Sequence, residues 1–140
     1  MRSLDVLKRL AKQAVDRERR TLLQIAAEIG AVEQQILGIK QKIEQESAMQ
    51  WDVMTTGRTF SAFVDSSKNQ IGLLEERLRQ LAEAYNTQSE HVRRERTEEK
   101  RYALIADRRA AREASEAALR EQKEIDELVS TRHGRQRSRS

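Results

Sequence analysis

Leu22, Ile25, Ile29, Val32, Ile36, Ile39 and Ile43 recur at alternating steps of three and four. All seven positions of this seam are apolar, which is the pattern of a helix whose narrow stripe packs against another helix in a coiled coil. A second run answers it: Ile71, Leu74, Leu78, Leu81, Tyr85 and, after Gln88, Val92. Folding the chain back at Gly57 brings the runs together antiparallel. Ile43 then faces Ile71, Ile36 faces Leu78, Ile29 faces Tyr85 and Leu22 faces Val92, each pair of numbers adding to 114. Ile39 with Leu74 and Val32 with Leu81 add to 113. The expected fold class is therefore all-α: a long two-helix antiparallel coiled-coil hairpin, turning near Gly57, with its C-terminal helix overhanging the N-terminus.

Composition agrees with long solvated helices. Charged residues make up 36% of the 140-residue chain, aromatics only 4%, and there is no proline. Alternating charges around a heptad seam support exposed helices, whereas an enzyme pocket needs concavity and convergent polar groups. A hairpin of this kind offers a seam and no enclosed core, so the expectation is a protein that is not an enzyme. No cysteine is present, so thiolate and disulfide chemistry are absent. No phosphate-cradling glycine loop, zinc-ligand spacing or nucleophile with a base is found, and no cofactor is expected. Glu98, Glu99 and the other carboxylates read as solvated partners of nearby basic residues. His91, alone at its spacing, reads as a solvated helix residue. No run approaches the ~18 apolar residues of a membrane span, and the N-terminus lacks the apolar core of a secretory signal. The default expectation is a cytoplasmic protein.

The expected organisation is one hairpin over residues 1–131: helix one about 3–54, a tip about 55–59, and helix two about 60–130. Ser3 is a candidate N-cap of helix one, and Thr59 or Ser61 of helix two. Leu4, Leu7, Ala11 and Ala14 form an opening stripe, and the heptad slips at Glu18 in a stutter. Gly30 and Gly38 lie off the seam and read as tolerated glycines, each costing ~1 kcal/mol against alanine. At the tip the register pairs Trp51 with Phe63 and Met54 with Phe60. These aromatics either close the open end of the hairpin or form a partner-binding head. Residues 86–101 hold one apolar residue, Val92, and read as loosely paired or free to move. The register leaves residues 114–130 without a helix-one partner, a projection of ~25 Å that is either frayed or covered by another protein. The net charge of +4 is local to Arg132, Arg135, Arg137 and Arg139. Residues 132–140 read as a disordered basic tail, with no specific nucleic-acid role because the arginines lack interleaved aromatics.

The stretch Leu4-Asp-Val-Leu7-Lys-Arg-Leu10-Ala11-Lys-Gln-Ala-Val15-Asp16 resembles the N-terminal stretch of the FliJ-type flagellar export proteins. Ile105-Ala-Asp107-Arg108 and Gln122-Lys123-Glu-Ile-Asp126-Glu127 are similar to two later elements of that family, in the same order and at similar separation. The resemblance spans essentially the whole chain. It implies a coiled-coil hairpin of the flagellar type III export apparatus, akin to the central stalk of rotary ATP synthases. The implied partners are the hexameric export ATPase, the cytoplasmic domain of the export gate FlhA, and export substrate chaperones. The implied location is the cytoplasmic face of the inner membrane at the flagellar base, with only peripheral membrane association. Carried onto this chain, the gate-binding candidates are Gln35, Ile39, Phe60 and Phe63. The ATPase-binding candidates are Leu4, Leu7 and Ala11 with Ala118, Lys123, Ile125, Asp126 and Leu128. Lys42, Glu46 and Ser67 stand where the family pattern is more aromatic or apolar. Two alternatives share the architecture: the stalk of a virulence-type injectisome, and an unrelated coiled-coil scaffold.

Overall fold

The computed structural model describes residues 2–48 and 56–139, and their side chains over 2–48 and 59–137. Two helices account for all of it: α1, Arg2–Ala48, and α2, Thr56–Arg139. They pack against each other as a helical hairpin, and no strand occurs among the described residues. Both helices are long because nothing in them stops a helix. Proline is absent, and Gly30, Gly38 and Gly72 are isolated.

The boundaries refine the expected ones. Ser3 lies inside α1, and Thr59 and Ser61 lie inside α2, so none of the three is an N-cap. Gly57 stands in the first turn of α2, beside the connection through residues 49–55. The expected partners Trp51 and Met54 fall outside the described residues. At the other end α2 continues through Arg139. The basic segment expected to be disordered is helical, and the side chains of residues 131–137 are exposed.

The chain divides into two compact units, Lys12–Arg96 and Met1–Ala11 with Thr97–Ser140. In the first, burial follows the expected seam with one exception: Tyr85, expected on it, is 37% exposed. Along α1 the sheltered positions include Val15, Glu18, Leu22, Ile25, Ile29, Val32, Ile36, Ile39 and Ile43. Along α2 they include Phe63, Ser67, Ile71, Leu74, Leu78, Leu81, Gln88 and Val92. The deepest are Leu81 at 4% exposed, Val15 and Val92 at 5%, and Ile36 at 8%. No described side chain is fully enclosed, as expected where two helices share one interface and the rest of each faces water.

The register between the helices differs from the expected one. The Gln88 side-chain amide donates to the backbone carbonyl of Glu18 at 2.9 Å and also to the Glu18 carboxylate. Arg77 pairs with Glu28 at 3.2 Å, and the Lys42 ammonium lies 6.0 Å from the centre of the Phe63 ring. These contacts run antiparallel and set α2 about two helical turns from the pairing read off the apolar residues. Ile36 thus lies opposite Ile71 rather than Leu78, Ile29 opposite Leu78 rather than Tyr85, and Ile25 opposite Leu81. The reason is that a heptad seam presents nearly the same stripe after a slide of seven residues. Apolar pattern alone therefore leaves the register open. In the expected register Gln88 would face Ile25, and its amide would be buried without a partner, which costs about 1–3 kcal/mol. The observed register brings it to Glu18, the polar position of the stutter.

Residues 86–101, expected to be loosely paired, are anchored at Gln88 and Val92 although most of them are exposed. Gln88 at 9% and Val92 at 5% exposed are among the most buried residues of the chain. In the second unit, Leu4, Tyr102, Ala103, Ala106 and Arg109 are half-buried, and every residue from Ala110 to Arg137 is exposed. The fully exposed part of α2 thus begins at about residue 110, slightly earlier than the expected end of pairing with helix one. To Arg139 it measures roughly 45 Å at 1.5 Å per residue.

Leu81→Ala should cost about 2 kcal/mol or more in urea unfolding, because it removes a buried seam side chain. Leu73→Ala, at a residue 74% exposed, should change stability by less than about 0.5 kcal/mol. Equal effects from the two would contradict this seam.

Candidate functional site

Two surfaces gather the residues singled out by the sequence. The first lies within Lys12–Arg96. Gln35, Gly38, Ile39 and Lys42 of α1 and Gln70, Leu73 and Leu74 of α2 line an open groove of about 440 Å³. Its walls are mainly apolar because it lies along the flank of the seam. Ile39 and Leu74 are half-buried there, while Leu73 is largely exposed. Gly38 widens the groove, since a Cβ added at Gly38 would meet nothing within 4 Å.

Phe60 and Phe63, one helical turn apart in α2, are half-buried with ring centres 6.5 Å apart and planes tilted by 33°. Lys42 links this pair to the groove, as a groove-lining residue whose ammonium also sits over Phe63. Such a cation–π contact contributes about 0.5–1 kcal/mol at an exposed site. The four gate-binding candidates therefore fall into Gln35 and Ile39 in the groove and Phe60 and Phe63 beyond it, with Lys42 between. Lys42, which departs from the family's aromatic pattern, contributes the bridging cation.

The second surface belongs to the other unit. Ala118, Lys123, Ile125, Asp126 and Leu128 are all exposed. Ile125 is 53% and Leu128 69% exposed, and they form an apolar edge with Val129. The edge continues into a groove shared with Thr131, Arg132 and Arg135. Asp126 accepts a hydrogen bond from the Gln122 amide at 3.2 Å, one turn earlier. The three α1 candidates behave differently from one another. Leu7 is exposed, Leu4 half-buried and Ala11 buried in the helix–helix interface. Leu4 lies near Tyr102 in the register, about 16 residues or ~24 Å of helix before Ala118. The structure thus does not bring the α1 and α2 sets into one cluster, and Ala11 serves the hairpin rather than a surface.

Sequence reasoning passed over Leu73 and Gly38 in the groove, and Leu119 and Val129 along the free helix. A signal existed for some of them. Leu73 and Leu119 are leucines outside the heptad seam, and Gly38 lies one residue before a seam isoleucine.

Electrostatics add no switch among the described residues. The salt bridges Arg79–Glu76, Arg93–Glu90 and Arg101–Glu98 are exposed pairs three residues apart, screened by water and of little consequence for stability. The Arg79 guanidinium is raised above its ordinary pKa by its hydrogen bond to Glu76 and by that carboxylate's charge. Because arginine is already protonated at all physiological pH values, this changes no charge. Among the described residues no group of three or more His, Cys, Asp or Glu could hold a metal ion, and no helix is long and apolar enough to cross a membrane.

Comparison with protein families finds a match to a family model described as "Flagellar FliJ protein", over residues 1–138. Comparisons with curated proteins and with solved structures give no match.

Gly38→Ala should raise the thermal stability of the free protein, by about 1 kcal/mol, because alanine is the better helix former and meets open space. A ligand that needs close approach along the groove should bind the variant more weakly. Loss of stability instead would show that Gly38 is required by the fold.

Proposed function

The chain belongs to the FliJ family, and on that premise we propose that it is a stalk linking the export ATPase to the export gate. At the coarser level it is a component of flagellar type III protein export, from a family of non-enzymatic export proteins. The flagellar assignment sets aside the injectisome stalk and the unrelated scaffold.

In this reading the exposed part of α2, with Ile125, Leu128 and Val129 along one edge, enters the hexameric ATPase ring. Its exposed apolar edge is the observation that carries the reading. Three large aliphatic residues at least half exposed on a helix without an intramolecular partner are marginal alone and are stabilised by a second protein surface. Leu4 and Leu7 would meet the ring at its mouth, where α1 ends. Arg132 and Arg135 would extend the edge with positive charge. The other surface, running from Gln35 and Ile39 through Lys42 to Phe60 and Phe63, would receive the FlhA cytoplasmic domain. Here an apolar groove flanked by aromatic rings supplies buried anchors of the kind that dominate protein interfaces. Export substrate chaperones would be escorted on the same hairpin. The protein would act at the cytoplasmic face of the inner membrane, at the flagellar base, associating with the membrane only through the export apparatus.

The mechanism so proposed is mechanical. Long helices transmit displacement along their axes because their backbone hydrogen bonds are continuous. A conformational change at the ring would reach the gate-binding face without any reaction in this chain.

Ile125→Asp with Leu128→Asp should leave the helical content of the free protein unchanged and weaken ATPase-ring binding by about tenfold or more. Ile39→Ala with Phe63→Ala should weaken binding to the FlhA cytoplasmic domain while sparing the ATPase. Undiminished ring binding by the aspartate pair would remove the exposed edge from the interface. Undiminished gate binding by the alanine pair would do the same for the groove.

A further inference from the structure

Between Lys12 and Arg96 two registers satisfy most of the apolar seam. In the observed one Ile36 lies opposite Ile71, Ile29 opposite Leu78, Ile25 opposite Leu81 and Val32 opposite Leu74. A slide of seven residues would instead place Ile36 opposite Leu78, Ile29 opposite Tyr85, Val32 opposite Leu81 and Ile39 opposite Leu74. The apolar pairs are nearly equivalent in kind and number, and the polar residues break the tie. Gln88, 9% exposed, is satisfied by the carbonyl and carboxylate of Glu18 in the observed register and would face Ile25 in the other. Against this, the observed register buries Ser67 at 5% exposed near Ile39, a mismatch that the slide would relieve. A single buried polar group is the best-attested device for specifying coiled-coil register.

We propose that the Gln88–Glu18 pair is a latch that holds this hairpin in one of two registers related by a slide of seven residues. Releasing it lets α2 move ~10.5 Å along α1. Gly57 now sits in the first turn of α2, and it has the backbone freedom to leave the helix. The latch is a property of the free chain and stands apart from the export reading.

The chain contains no cysteine, so engineered pairs report register directly. A disulfide needs Cα atoms about 4.4–6.8 Å apart, and a seven-residue offset exceeds that tolerance. In the full-length chain, Ile36→Cys with Ile71→Cys should cross-link readily. Ile36→Cys with Leu78→Cys should do so at least about tenfold more slowly, as for a minor state. Adding Gln88→Leu should raise the second yield to within about threefold of the first, since the apolar side chain so introduced can pack on Ile25. Ile29→Cys with Leu78→Cys, against Ile29→Cys with Tyr85→Cys, gives an independent reading of the same change. Gln88→Met, of similar length without the amide, serves if the leucine variant loses helicity by circular dichroism. The proposal is overturned if the helical Gln88 variant leaves the slid pairs at background. It is equally overturned if the unaltered seam cross-links both pairs at the same rate.

Discussion

A buried amide cannot be left without an acceptor, and that constraint fixes how this chain pairs with itself. Gln88 interrupts the α2 seam and Glu18 interrupts the α1 seam. Either residue alone would be a defect in a stripe of isoleucine and leucine. Placed opposite each other they satisfy one another, and only one alignment of the two helices does this. The Arg77–Glu28 pair and the Lys42–Phe63 contact then follow at the same offset. The exposed Arg77–Glu28 pair contributes little to stability by itself.

What the alignment determines reaches beyond the seam. It sets where the shelter given by α1 ends, and so how much of α2 runs unpartnered beyond residue 110. The groove belongs to the Lys12–Arg96 unit and the exposed apolar edge to the other. Neither is an enclosed pocket. Two helices in contact bury one stripe each, and every other face remains in water, so recognition must use grooves along the seam and edges beyond it.

That geometry agrees with the family to which the chain belongs. The two helices enclose no described side chain fully, and most charged residues lie on exposed helix faces, with Glu18 on the seam an exception. The described surface instead offers an open groove along the seam and exposed apolar residues on the part of α2 beyond residue 110. The departures from the family pattern also acquire a physical reading. Lys42 caps the Phe63 ring with a cation, and Ser67 is a small side chain packed into the seam.

The sequence by itself determined the fold class. Heptad spacing names the buried face of each helix, and burial follows it from Leu22 to Ile43 and, Tyr85 excepted, from Ile71 to Val92. The absence of proline determined that both helices would be long. The family was legible as well, in the spaced elements beginning at Leu4, Ile105 and Gln122. Register was not legible, because a repeat of seven is blind to a slide of seven. The packing of residues 86–101 was hidden for the same reason: Gln88 looks solvated until its partner is known. The groove was missed because Gly38 and Leu73 are ordinary residues in their own helices and acquire meaning only across the interface. Only the tertiary structure could decide these points, since each depends on which residue of one helix stands opposite which residue of the other. Local pattern encodes the face of a helix, and a specific polar pair encodes its position along the partner.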